Sequence, residues 1–327
     1  MGINWPQGFE RTPDESWTIA PLDPAGLNYD AMSSHLWYSN LNLTVSQLAE
    51  VLIPGQFVVD YSGGTGILAR RLVEAIPEVG ILIVDSSARF LRVALENFRG
   101  KSNVAFRLLH YVKDEHRLER LDEITSANLL DVDAIVSTNA VHLYPNLSET
   151  FTSWAKTIRH RGKVFVQSGD IRNPDGKPNE WLISEVVAQV RSIAKELIFS
   201  ESRFKQYREV FDDSARIEAY EMQWKKIFPP IRSLGVYTDS LIESGFVIRS
   251  STARTIQVGV LEWYDAMQSY PDLLPWIGGS PAIDKRDPSA SELKDRLDLL
   301  KGAFMKLFPL RQTFDGTWTY IVAEHLK

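Results

Sequence analysis

The sequence contains no cysteine. That absence excludes disulfides, zinc ribbons, iron–sulfur ligation, a thiol nucleophile and CxxC redox chemistry. It also leaves His, Tyr and the carboxylates as the side chains able to act as a base. Long apolar runs are missing too: no stretch approaches 18 consecutive apolar residues, so no membrane span is expected. Positive charge is not in excess. Lys and Arg number 36 against 42 Asp and Glu, a formal net charge of −6, which argues against a nucleic-acid surface. Residues 1–14 carry Glu10 and Asp14 and lack a basic n-region and an apolar h-region. No secretory leader is therefore expected, and the cytoplasm is the expected location.

What is present begins with size and rings. A chain of 327 residues suggests two domains, or one large domain with an insertion. It holds 9 Trp, 11 Tyr and 15 Phe, mostly outside its central part. Either the core is rich in aromatics or an apolar, ring-shaped molecule is bound. Residues 1–42 combine turn formers with aromatics (Pro6, Pro13, Pro21, Pro24, Trp5, Trp17, Trp37, Tyr38) and read as an arm that packs on something else.

Residues 43–168 alternate between two periods. Continuous apolar runs at 57–61, 80–85, 104–109, 132–137 and 162–167 read as buried strands. Between them, Leu68, Leu72, Ala75 and Ile76, then Phe90, Val93, Ala94 and Phe98, recur at helical spacing, and a further helix is expected over 146–160. Buried strands alternating with helices predict a doubly wound α/β sheet covered on both faces. Residues 169–234 interrupt the alternation with helical patterns and read as a lid insertion. Residues 235–327 resume it, with a substrate-side excursion around 260–279.

The sharpest local signal is Asp60-Tyr61-Ser62-Gly63-Gly64-Thr65-Gly66, between the first strand and its helix. Glycines there permit a tight turn and close approach of a ligand, and the helix start offers free N–H groups. Asp85 ends the second strand, whose tip lies beside that loop in such a sheet. A carboxylate there can accept both ribose hydroxyls, so a nucleoside-containing cofactor is expected. Gly64 to Ala69 also match the G-x-G-x-x-A dinucleotide pattern. Asp60 separates the two possibilities. A carboxylate repels a pyrophosphate and complements the ammonium and sulfonium of S-adenosylmethionine. As alternatives, Asp60 reads as a helix N-cap and Asp85 as a strand-end turn residue.

This constellation resembles the class I S-adenosylmethionine-dependent methyltransferases. Their Asp/Glu-x-Gly-x-Gly-x-Gly loop is matched by Asp60, Ser62, Gly64 and Gly66, with Gly63 between them. Ser62 replaces the first glycine, which a negative φ would allow. The resemblance places the ribose acid at Asp85, with Ser86 beside it, and the adenine edge at His110 and Tyr111. It places Asn139 in the cofactor site and His142 facing the transferred methyl, as base or positioning residue. It also implies a seven-stranded sheet whose last strand is antiparallel, with 246–251 and 318–323 as strands six and seven.

Asp170 is a second base candidate, with a plain loop-turn reading beside it. It lacks the neighbouring ligands of a metal-dependent site, so no metal is expected. Most rings of the arm and insertion are expected to pack among themselves, with Trp37, Tyr38 and Tyr207 reaching the substrate. His35, His116, His160 and His325 are expected at the surface. The expected function is methyl transfer to a small apolar or aromatic molecule, with oxygen favoured as acceptor. The alternatives are an NAD(P)-dependent oxidoreductase and a cofactor-binding protein of the same fold that transfers no methyl. No nucleic-acid or membrane partner is expected.

Overall fold

The computed structural model describes residues 3, 5, 9–124, 132–268, 270 and 273–326. Pro6 of the arm lies outside them.

Seven strands form one sheet: β1 (Phe57–Tyr61), β2 (Gly80–Asp85), β3 (Val104–Leu108), β4 (Val132–Thr138), β5 (Ile158–Ser168), β6 (Phe246–Gly259) and β7 (Thr313–His325). Their spatial order is β6-β7-β5-β4-β1-β2-β3. β1 lies parallel between β2 and β4, pairing Val59 with Leu82 and Asp60 with Val136. Only β7 runs against its neighbours, pairing Ile321 with Val166 of β5 and with Ser251 of β6. The apolar strands are continuous because both faces are covered. Val58, Ile81, Ile83 and Val136 enter one core; Val59, Leu82, Val84 and Ile135 enter the other.

The helices of eight residues or more are α1 (Pro24–Ala31), α2 (Leu41–Val51), α3 (Ile67–Ala75), α4 (Ala88–Asn97), α5 (Leu147–Thr157), α6 (Ile183–Ser200), α7 (Ser214–Ile227), α8 (Leu234–Glu243), α9 (Val260–Gln268) and α10 (Ala290–Leu307). α3 starts immediately after Gly66 and stops two residues before Pro77, whose ring disfavours helical backbone at the residue preceding it. Ser87 Oγ caps α4 by accepting the Phe90 N–H at 3.3 Å.

Three departures from expectation bear on the site. β6 and β7 are far longer than 246–251 and 318–323. Residues 313–318 of β7 run past the end of β5, paired with β6 on one side and bridged by Trp181 at Gly316 on the other, so the hairpin rises beyond the carboxyl edge of the sheet. The outer strand carries mostly exposed or half-buried positions, which is why no apolar run marks it. β5 starts at Ile158 rather than at 162, and Arg161 takes a left-handed φ of +60°. His325 is buried, not exposed: it packs on Phe246 at 5.3 Å, with Nδ1 3.4 Å from the Arg159 carbonyl.

The helical insertion is tied at its base, where Ile171–Arg172 pair with Arg232–Ser233. α6 buries Val186, Val187, Val190, Ala194 and Ile198 in the same apolar cluster as Leu299, Leu300 and Phe304 of α10, and Phe204 and Tyr220 join them. The arm is fastened on the other side. Asp30 of α1 pairs with Arg70 of α3 at 2.9 Å and accepts from Asn97 of α4 at 3.2 Å.

Candidate active site

The loop after β1 is held by its backbone. The Ser62 and Gly63 N–H groups both donate to the Val84 carbonyl, at 2.7 and 3.1 Å. Ser62 takes a φ of +63°, so the negative φ expected for it is not found. Its strained conformation is supported by the Tyr144 hydroxyl, which donates to Ser62 Oγ at 2.9 Å and lies 2.7 Å from Ser137 Oγ. Gly63 leaves room for the acid before it: a Cβ there would come within 2.7 Å of Asp60 Oδ2. Gly66, at φ +81°, starts α3 where a Cβ would strike the Phe98 ring at 2.6 Å.

The two acids at the strand tips differ sharply. Asp60 is fully buried, and among the described residues neither carboxylate oxygen has a hydrogen-bond partner. It is therefore not the N-cap of α3. Burial, and secondarily the charge of Asp85, push its carboxyl up to about 7. Asp85 is also buried, but both oxygens are used: Oδ2 accepts the Gly64 N–H at 2.8 Å and Oδ1 the Ser87 N–H at 2.7 Å. Burial raises its carboxyl and these amide bonds oppose the rise. Each oxygen keeps a second lone pair for a ligand hydroxyl. Ser86 is exposed beside it.

Across the sheet, β4, β5 and β7 converge. Asn139 follows β4 at φ +56°, and its Oδ1 accepts from Trp318 Nε1 at 2.9 Å and Asn40 Nδ2 at 3.1 Å. Asn40 is fixed in turn by the Tyr320 hydroxyl, which donates to its carbonyl at 2.7 Å. His142 Nδ1 lies 2.9 Å from Ser168 Oγ, and Nε2 lies 3.5 Å from Asp170 Oδ2. Asp170 is placed by two backbone bonds: its N–H donates to Ser168 Oγ at 3.0 Å, and its Oδ1 accepts the Ser184 N–H at 2.6 Å. Arg232 clamps the same turn by donating to the carbonyls of His142 and Tyr144. Burial lowers the His142 pKa; Asp170 opposes that shift and Arg232 reinforces it. The balance favours the neutral imidazole.

The remaining expected site residues divide. Trp37 and Tyr38 are buried and stacked at 3.9 Å, with Trp318 6.3 Å from Trp37. The Trp37 Nε1 has no hydrogen-bond partner among the described residues. Tyr207 stands elsewhere, donating to Asp295 of α10 at 2.6 Å. His110 is exposed, with its ring nitrogens 2.9 Å from Glu119 and 3.0 Å from Glu15. Tyr111 is 56% exposed on a small hairpin, its hydroxyl 3.5 Å from His116. The structure therefore brings together Asp60, the loop, Asp85, Asn139 and His142; His110 follows Leu109, whose N–H donates to the Asp85 carbonyl at 2.9 Å, with its ring turned to Glu15 and Glu119, and Tyr207 pairs with α10 instead.

Several neighbours went unread in the sequence. Tyr29 of α1 stacks on Phe90 at 4.8 Å and covers Gly64, where a Cβ would lie 3.6 Å from its ring. No local pattern marks it. Tyr144 was within reach, lying two residues beyond His142; Asp170, two beyond the end of β5, is the second base candidate read above. Asn40 and Trp318 depend on pairings across 99 and 179 residues.

No family model matches the chain. A stretch of 151 residues, 43% of the chain, is 26% identical to the highly reducing polyketide synthase Preu5 of Preussia isomera, and the chain spans 6% of that protein's length. Among solved structures, the YcgJ protein of Bacillus subtilis superposes at a TM-score of 0.50 and 13% identity, over 89% of this chain and 99% of that one. A phosphoethanolamine N-methyltransferase 2 of Haemonchus contortus, solved with phosphomonomethylethanolamine and S-adenosylhomocysteine, superposes at 0.50 and 14% identity, over 92% of this chain and 57% of that one. With β7 antiparallel between β5 and β6, the fold is that of the class I methyltransferases.

Proposed function

We propose that this chain is an S-adenosylmethionine-dependent methyltransferase acting on a small apolar or aromatic molecule, with oxygen the favoured acceptor. The observation that carries the reading is Asp60. A buried carboxylate without a partner is costly, and beside a glycine loop its natural complement is a small cation. An anionic pyrophosphate would make the cost worse, which disfavours the NAD(P)-dependent reading. The likeness to part of a polyketide synthase supports a small organic acceptor.

When bound, S-adenosylmethionine supplies an electrophilic methyl group. The chain's part is to align, dry and deprotonate. Asp60 faces the cofactor's positive charge, and Asp85 and the Gly64 region hold its ribose. Tyr29 covers the loop, Trp37 and Tyr38 wall the acceptor, and the arm and the 169–234 insertion close over it. His142 takes the acceptor's proton by way of the Ser168 hydroxyl, which accepts it and passes its own proton to Nδ1 at 2.9 Å, and Asp170 stabilises the imidazolium that results. Calorimetry with S-adenosylhomocysteine tests the cofactor: saturable one-site binding is expected, and no heat up to about 1 mM would sink the reading.

A second reading keeps the cofactor and drops the transfer. It is favoured by the engagement of both His142 ring nitrogens with Ser168 and Asp170. Demethylated cofactor accumulating with an acceptor would exclude it.

A further inference from the structure

A cavity of about 380 Å³ opens on the other side of α4, between that helix and the arm, away from the site above. Its wall carries Arg11, Arg92, Arg99 and Lys101 against one carboxylate, Glu96. Glu96 is shared by Arg92 at 3.3 Å and Arg99 at 2.7 Å. Arg11 and Lys101 form no ion pair among the described residues; Arg11 donates only to the Lys101 carbonyl, at 3.2 Å. In a chain of net charge −6, a concavity with three surplus positive charges is a local reversal of field, and it focuses anions. Leu95, Phe98 and Phe106 form an apolar floor.

We propose that this cavity binds a phosphate-bearing small molecule, the phosphate engaged by Arg11 and Lys101 and the organic part lying on the Phe98 and Phe106 rings. Guanidinium groups match phosphate oxygens in pairs, and the volume suits a small ligand. The concave shape between arm and helix favours a compact molecule over a polymer. The site also touches the cofactor loop from behind. Phe98 stands against Gly66, and Asn97 Nδ2 donates to the Thr65 carbonyl at 3.2 Å. Occupancy would brace the loop through those two residues.

Inorganic pyrophosphate titrated into the full chain by calorimetry, in phosphate-free buffer, is the test. One-site saturable binding is expected, weakening as salt is raised from about 50 to 300 mM. Arg11→Ala with Lys101→Ala should reduce affinity about tenfold or more. Lys101→Glu reverses charge at an exposed side chain, so it keeps the test sharp should the double variant misfold. Binding should persist with S-adenosylhomocysteine present. The proposal is overturned by any of three results. One is no saturable heat up to about 10 mM. Another is an unchanged affinity in a folded Lys101→Glu protein. The third is displacement of pyrophosphate by S-adenosylhomocysteine, which would put the anion in the cofactor loop instead.

Discussion

The two halves of the carboxyl edge differ in how their central ionisable groups are held. Around β1 and β2, Asp60 is sealed from water with both oxygens unpartnered. Around β4, β5 and β7, Asn139, His142, Ser168 and Asp170 all have partners in place. The first half is incomplete and waits for a ligand to supply what it lacks. The second is preorganised, its geometry set before any ligand arrives. Affinity for a cationic cofactor should therefore reside in the first half and the rate of reaction in the second.

Asp60→Asn gives the largest expected break in that contrast. S-adenosylhomocysteine affinity should fall about 100-fold or more, since a buried charge pair is lost. Stability should move the other way. With its carboxyl raised from 3.8 to about 7, the folded protein holds a proton that the unfolded chain has released. Asp60 thus leaves stability intact below 3.8 and erodes it as pH rises to about 7, by up to ~4 kcal/mol. Denaturant melts at pH 5 and 8 should show that slope in the wild type and lose most of it in the variant. An Asp60→Asn protein that binds as the wild type does would dissolve the distinction between the halves.

His142→Ala should act on rate alone, cutting turnover by about 10²- to 10⁴-fold while S-adenosylhomocysteine affinity stays within about twofold. Equal losses in both would return His142 to a role in shaping the cofactor pocket. Trp318→Phe removes one of the two donors to Asn139 and should cost about 1 kcal/mol, read as a loss of up to about fivefold in kcat/KM. Smallest is Tyr207→Phe. Its bond to Asp295 is worth about 1 kcal/mol of stability at most, and the acceptor KM should not move. A raised KM would restore Tyr207 to the acceptor site.

The first half was legible because its signal is local. Asp60 to Gly66 are contiguous, and Asp85 is one strand away in a parallel sheet whose order follows from continuous apolar runs. The second half was legible only in part. His142 and Asp170 sit at strand ends, but nothing short-range says that Ser168 and Ser184 turn Asp170 toward the imidazole. Trp318 was read as the start of a strand, not as a site residue, because the polar outer strand concealed how far the hairpin climbs. His110 and Tyr111 sit at the expected place in the chain, and no sign in the sequence tells that Glu15 and Glu119, 95 and 9 residues away, hold the imidazole. Tyr207 shows the limit of ring-counting, since an amphipathic helix face carries no mark distinguishing a helix neighbour from a ligand.

The position of β7 has a kinetic consequence. It is the last strand in the chain, yet it lies inside the sheet and pairs Thr319 with Ser168 across 151 residues. Contacts of that span form late, because the loop must close before the pairing returns any free energy. Trp318 and Tyr320, which fix Asn139 and Asn40, arrive with it. Folding and assembly of the preorganised half therefore end in one step. A chain still completing that step would hold the glycine loop and Asp60 in place while lacking the geometry that does the chemistry. Recovery of turnover in a refolding experiment should accordingly lag behind recovery of cofactor binding.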